Sequence, residues 1–143
     1  MLAQIFWGSL VLGICTMVHL IVLMGWVKSL RWFQASSAAL FIKKSQVIVI
    51  ASALVGIILA HTLQVWMWAA SLIALGALES FSDAIYFSIV TYTTVGYGDL
   101  TLGPDFRIFG AMASVTGLLG FGISTAFLVG LLEKMFSSAL VRS

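Results

Sequence analysis

Charge is what this sequence has least of: Asp, Glu, Lys and Arg make up 8% of its 143 residues, while 62% are hydrophobic. A soluble domain of ordinary composition carries about a quarter of its residues charged, so that class is excluded. The net charge of +2 is too small to suggest a nucleic-acid partner. Cys15 is the single cysteine, which rules out an intrachain disulfide and a cysteine-built metal cluster and leaves a small buried apolar residue. Pro104 is the single proline, so no apolar run in the chain carries a proline kink. Linkers rich in Pro, Gly and Ser, internal repeats and low-complexity segments are missing as well. No nucleophile–base pair, nucleotide loop or metal-ligand cluster is visible, so we read neither an enzyme nor a cofactor site.

What the sequence does have is long uncharged runs. Residues 1–27, 45–78 and 108–132 each exceed the roughly 20 residues that cross a bilayer as helix. A fourth uncharged run, residues 84–98, would cover only about 22 Å as helix. That run is too short to span and is expected to dip in and return, a course tolerated at membrane depth only where protein or a water-filled cavity surrounds it. The first run has no basic start and no short apolar core, so it reads as a retained helix rather than a cleaved signal. At this length the chain holds a few spans and no additional soluble domain.

Basic residues accumulate on the cytoplasmic side of membrane proteins. Lys28, Arg31, Lys43 and Lys44 fall between the first two spans, Lys134 and Arg142 follow the third, and only Arg107 lies opposite. The N-terminus is therefore expected outside and the C-terminus in the cytoplasm of a cell membrane. Glu79, Asp83, Asp99 and Asp105 then ring the outer side, either as an electrostatic funnel for cations or as solvated loop residues and caps. Trp7, Trp66 and Trp68 are expected at the outer interface, and Trp26, Trp32 and Phe33 at the inner one. Residues 28–44 read either as an amphipathic helix on the inner surface or as a polar loop.

The short run carries the chemistry. Ser82 and Asp83 precede an apolar stretch as a cap precedes a helix. After it, Gly96 and Gly98 alternate with Val95 and Tyr97, and glycine visits the left-handed region at little cost. Alternating conformations let successive carbonyls point to one side, whereas an ordinary strand would alternate them. Thr94, Val95, Gly96 and Tyr97 would present these carbonyls, with the Thr94 hydroxyl adding an oxygen at the inner end.

From Glu79 to about Leu132 the chain resembles the pore domain of tetrameric potassium channels, especially the small bacterial channels with two helices per subunit. The threonine pair Thr93–Thr94 followed by Val95, Gly96, Tyr97, Gly98 and Asp99, after a pore helix and before a spanning helix, carries the resemblance. It implies that backbone carbonyls of Thr94 through Tyr97 bind dehydrated K+, the transported ligand. One filter per chain implies a homotetramer. Gly117 would occupy the gating-hinge position, and Leu118, Phe121, Thr125 and Val129 would face the cavity. Tyr97 stands where related non-selective cation channels carry Asp.

Departures accompany the likeness. Tyr86 and Phe87 replace the tryptophan pair common on the pore helix: Phe87 offers Tyr97 no hydrogen bond, whereas Tyr86 is within reach of Asp99. Val90 stands where one subgroup carries glutamate behind the filter, which implies differently tuned inactivation. The first run holds no Lys or Arg and cannot serve as an arginine-ladder voltage sensor. Any bend in the third span would come from Gly110, Gly117, Gly120, Gly122 or Gly130, whose other role is close helix packing. His19 and His61 lie inside spans, where an ionisable residue is a functional candidate; the simpler account is a neutral imidazole bonded to a neighbouring helix.

The expected fold is an all-α membrane protein. Residues 1–27 form an extra N-terminal helix, 28–44 a cytoplasmic connection, 45–132 a pore domain and 133–143 a short cytoplasmic tail. Within the pore domain we expect an outer helix (45–75), a pore helix (82–93), a filter (94–99) and an inner helix (105–132). The function expected is passive, K+-selective conduction. The alternatives are a poorly selective cation channel and a non-conducting regulatory subunit that docks through residues 1–27.

Overall fold

The computed structural model describes residues 1–35 and 46–140, which form four helices and, among the described residues, no strand. They are α1 (Leu2–Ala35), α2 (Gln46–Ala74), α3 (Phe81–Tyr92) and α4 (Arg107–Leu140). Three of them hold apolar stretches of 29 residues each, Leu2–Leu30, Gln46–Ala74 and Arg107–Met135, long enough to cross a membrane. The chain is an all-α membrane protein with one helix added ahead of an outer helix, a short helix and an inner helix.

α1 packs on α2 and α4, and α3 is wedged against α2 and α4. Paired contacts give the directions. Gly8 lies against Met112, and His19 against Ser124, so α1 and α4 run parallel. Gly56 lies against Trp26 while Gln64 meets Cys15, so α2 runs the other way. The start of α1 therefore sits at the same end as the start of α4. There Gln4 caps α4, its side-chain oxygen accepting from the backbone N–H groups of Ile108 (3.0 Å) and Phe109 (3.4 Å), donors a helix start leaves orphaned. Its amide nitrogen donates to the Pro104 carbonyl at 3.0 Å.

Local chemistry sets the other ends. α2 closes with a Schellman motif: Gly76 takes φ +69°, its N–H donates to the Ile73 carbonyl (2.9 Å), and that of Ala77 donates to Leu72 (2.9 Å). Ser80 then caps α3 by accepting from the Asp83 N–H at 3.4 Å, so the cap precedes the Ser82–Asp83 pair that the sequence suggested.

Two expected boundaries differ. α1 continues past Val27 to Ala35, into the expected connection, and α4 continues past Leu132 to Leu140, into the expected tail. No Gly or Pro falls within 26–35 or 131–140 to stop either helix. Charge ends a membrane span, whereas a helix ends at a breaker or cap. The rest of the expected connection, residues 36–44, lies outside the described residues, as do residue 45 of the expected outer helix and Arg142.

The core is built around Cys15, Trp68, Leu72, Phe87, Tyr92, Phe109 and Ala113. Trp68 corrects an expectation: it is 0% exposed, its ring 5.2 Å from that of Phe109, instead of standing in an outer aromatic belt. Trp7 and Trp66 are exposed. The difference is helical phase, since Trp66 and Trp68 lie about 200° apart around α2. Trp26 packs over Gly56, where a methyl group would strike its indole ring.

Candidate functional site

α3 ends at Tyr92, and the next residues turn the chain sharply. Thr93 closes the helix, its N–H donating to the Ile89 carbonyl (3.0 Å) and its hydroxyl to the same oxygen (2.7 Å). The Val90 carbonyl then accepts from both Val95 N–H (3.0 Å) and Gly96 N–H (3.1 Å), pinning the segment back on the helix.

From Thr94 on, every second residue is left-handed: Thr94 at φ +62°, Gly96 at +56° and Gly98 at +78°. Glycine adopts this region freely, but threonine is a β-branched residue for which positive φ is an outlier of the kind that clusters at ligand sites. The alternation rotates successive peptide planes so that their carbonyls do not point to opposite sides as in a strand. Among the described residues none of the carbonyls of residues 94–98 accepts a hydrogen bond from the protein. The segment is exposed on the subunit, Tyr97 at 73% and Val95 at 52%.

Behind the segment lies a cavity of about 380 Å³ lined by Tyr86, Val90, Gly96, Asp99, Arg107 and Ser114 among others. One bond braces it: the Tyr86 hydroxyl donates to Asp99 Oδ2 at 2.5 Å, tying the middle of α3 to the far end of the segment. The Tyr86 hydroxyl, helped by the backbone N–H groups of Asp99 and Leu100, holds the Asp99 carboxyl below the usual carboxylate range. Phe87 packs into the core beside this cavity, its ring edge meeting Gly110.

The inner helix holds α3 from the other side. The Ser114 hydroxyl donates to the Thr91 carbonyl at 2.9 Å. At Gly117 a methyl group would overlap the Tyr92 carbonyl oxygen, so glycine is required there by close approach. Leu118, Phe121, Thr125 and Val129 form one exposed stripe of α4. Phe121 is shared, since its ring also lies 4.9 Å from that of His61 and 5.7 Å from that of Tyr92. Gly122 has nothing near enough to require a glycine within the subunit.

A second polar centre sits at mid-membrane. His19 and Gln64 are fully buried, and Ser124 and Tyr92 nearly so. With His61 they bring all four helices together, at ring-to-ring distances of 4.9 Å for the two histidines and 5.9 Å for His61 and Tyr92. At Gly120 a methyl group would meet the Tyr92 hydroxyl at 2.8 Å and Gln64 Oε1 at 3.0 Å, so its small size makes room for this centre. Sequence reasoning singled out the histidines but missed Gln64, Tyr92 and Ser124. The available signal was Gln64 itself, a polar residue three positions after His61 in an otherwise apolar span, where such residues face the bundle interior.

The family profile described as "Ion channel" matches residues 47–134, from the start of α2 through most of α4, and leaves α1 outside. The chain is also 33% identical over 66 residues to a protein of Aeropyrum pernix described as a voltage-gated potassium channel. That alignment covers 46% of this chain and 21% of the relative, so the chain spans well under two thirds of the relative's length. No solved structure matches the chain.

Proposed function

This chain belongs to the ion channel family, and on that premise we propose that it forms a homotetrameric, potassium-selective channel whose filter is residues 94–98. Four copies of the segment line one axis, and K+ exchanges its water for the carbonyls of Thr94, Val95, Gly96 and Tyr97 and the Thr94 hydroxyl. The observation that carries this reading is the alternating left-handed backbone at Thr94, Gly96 and Gly98, with carbonyls that accept no hydrogen bond among the described residues. Ion binding gives those oxygens their partners. It also gives a functional reason for the strained backbone at Thr94.

Leu118, Phe121, Thr125 and Val129 line the cavity below the filter, and Gly117 lets the inner helix approach the base of the filter. Tyr86, Phe87, Val90, Thr93 and Asp99 support the filter from behind. Residues 45–132 act as the pore domain. The chain sits in the cell membrane with its N-terminus outside and its basic residues other than Arg107, Lys28 and Lys134 among them, in the cytoplasm. α1 carries no Lys or Arg before Lys28 and so is no arginine ladder.

The test is ion flux through the purified protein in planar bilayers under a potassium/sodium gradient, with barium as blocker. A reversal potential near the potassium equilibrium value is expected. A value near zero would mean a poorly selective filter, and no current at any voltage would point to a regulatory subunit. Mass determination of the detergent-solubilised protein checks the tetramer.

A further inference from the structure

The polar centre between the helices closes on itself. His19 Nδ1 lies 3.1 Å from Gln64 Oε1, and His19 Nε2 lies 3.0 Å from Ser124 Oγ. Ser124 Oγ in turn lies 3.1 Å from His61 Nε2, and His61 Nδ1 lies 2.7 Å from the Tyr92 hydroxyl. The Tyr92 hydroxyl donates to Gln64 Oε1, which completes a ring. The orientation of Gln64 is settled independently, because its amide nitrogen donates to the Cys15 carbonyl at 3.0 Å and leaves the oxygen to face the ring.

Five links therefore join five groups, and each link needs one hydrogen. Gln64 Oε1 only accepts. Neutral His19, neutral His61, Tyr92 and Ser124 bring one hydrogen each, so a neutral ring is one hydrogen short whichever tautomers are chosen. The shortage falls on a buried polar atom, where an unmade hydrogen bond is most unfavourable.

We propose that this ring is a binding site for a single proton, shared by His19 and His61 through the Ser124 hydroxyl. With the proton on His19, both its ring nitrogens donate, to Gln64 and to Ser124, and Ser124 donates on to His61. His61 donates to Tyr92, which donates to Gln64. With the proton on His61 the same links form, and only the hydrogens along the His19–Ser124–His61 path are reversed. Either way there is one double donor, one double acceptor and no orphan. A second proton would supply one hydrogen more than the links can use and would set two positive charges side by side.

The surroundings neither duplicate nor neutralise the site. α3 adds the Tyr92 phenol as the other titratable group facing the histidines, with the Cys15 thiol of α1 near Tyr92; α2 adds Gln64, and α4 presents Ser124 and Phe121. Tyr92 is bonded into the ring and its carbonyl lies against Gly117, so the proton completes a clamp from α1 to the base of the proposed filter. The proton count does not depend on the channel reading; only its consequence for conduction does.

The chain has two histidines, so nitrogen-15 labelling of histidine reports on this site alone. The full chain in lipid nanodiscs would be followed by NMR from about pH 8 to about pH 4, the range in which imidazoles titrate. Expected is the loss of one of the two bare-nitrogen signals in a single step, one proton per pair, with the second retained. Uptake of two protons, or of none, would overturn the proposal. In Ser124→Ala the shared path is cut and the single shared step should disappear; a variant that still takes up one shared proton would overturn the role of Ser124. Should that variant fail to fold, the wild-type count decides alone.

Discussion

Behind the pore helix, His19, His61, Gln64, Tyr92 and Ser124 turn their polar atoms toward one another and close a ring inside one subunit. Just after it in the chain, the carbonyls of residues 94–98 accept no hydrogen bond among the described residues. Both regions place polar groups at membrane depth, where each needs a partner. The ring finds its partners in four helices of the same chain, whereas the carbonyls of residues 94–98 have none among the described residues and, as proposed above, find theirs in K+. The contrast separates what holds a subunit together from what the assembled protein does. Substitutions in the first region should cost stability and spare selectivity, and those in the second should do the reverse.

Gly117→Ala should do most damage, because it strikes where the two regions meet. Its methyl group meets a backbone carbonyl, that of Tyr92, which cannot rotate away. The cost should reach about 3 kcal/mol per subunit, at the upper end for overpacking. Thermal unfolding in detergent should show a marked drop in midpoint, while Gly122→Ala, with nothing nearby in the subunit, leaves it unchanged. A normal midpoint with altered opening would instead make Gly117 a hinge. Next comes Gln64→Leu, which removes the ring's double acceptor and takes from His19 Nδ1 and the Tyr92 hydroxyl the oxygen they share. We expect a loss of about 2 kcal/mol, with the potassium reversal potential retained. Changed selectivity at wild-type stability would break the comparison.

Gly96→Ala belongs to the other region. Alanine at φ +56° is strained by about 1 kcal/mol in each subunit, a small effect on the fold. Its Cβ meets no atom within 4 Å of the subunit, so its main effect is on peptide orientation in the segment. Selective potassium current should be lost from a protein that still unfolds within a few degrees of wild type. Retained selectivity would count against the proposed filter.

How much was legible beforehand follows the same division. The short helix α3 and the alternation at Gly96 and Gly98 could be read because apolar length and glycine spacing are local, one-dimensional signals. Left-handed Thr94 could not, since nothing in its side chain asks for positive φ; the double anchor on the Val90 carbonyl just beyond it shapes that turn. Helix existence followed from apolar length, but the ends of α1 and α4 were misplaced because loss of hydrophobicity was taken for loss of helix. The ring was least legible. Its members lie up to 105 positions apart in sequence, and only the packing of α1 beside α4 brings His19 to Ser124. Trp68 was misassigned for a related reason, since a tryptophan near a span end is read as interfacial until the helix phase is known.

The smallest expected effect sharpens the comparison at its edge. Tyr86 and Asp99 form a bond within the subunit that ties α3 to the end of the proposed filter, so it belongs to both regions. Asp99 carries a lowered pKa, first because of the Tyr86 hydroxyl, so the folded protein binds a proton there less readily than the unfolded chain. The sign follows from linkage: the bond's contribution is present above the unfolded carboxylate value and is lost as pH falls through the lowered folded value. Tyr86→Phe removes the donor, and the Asp99 carboxyl should then titrate closer to the ordinary range, seen as an upward shift in its carbon-13 NMR midpoint. Both groups are open to solvent in the subunit, so little change in unfolding is expected. The filter should nevertheless feel the loss, because Asp99 follows left-handed Gly98 directly and the brace limits how that turn relaxes. Potassium current that decays faster during sustained opening in Tyr86→Phe, at unchanged unfolding midpoint, would place the brace with function; an unfolding midpoint that falls while the current is steady would place it with the subunit's own packing.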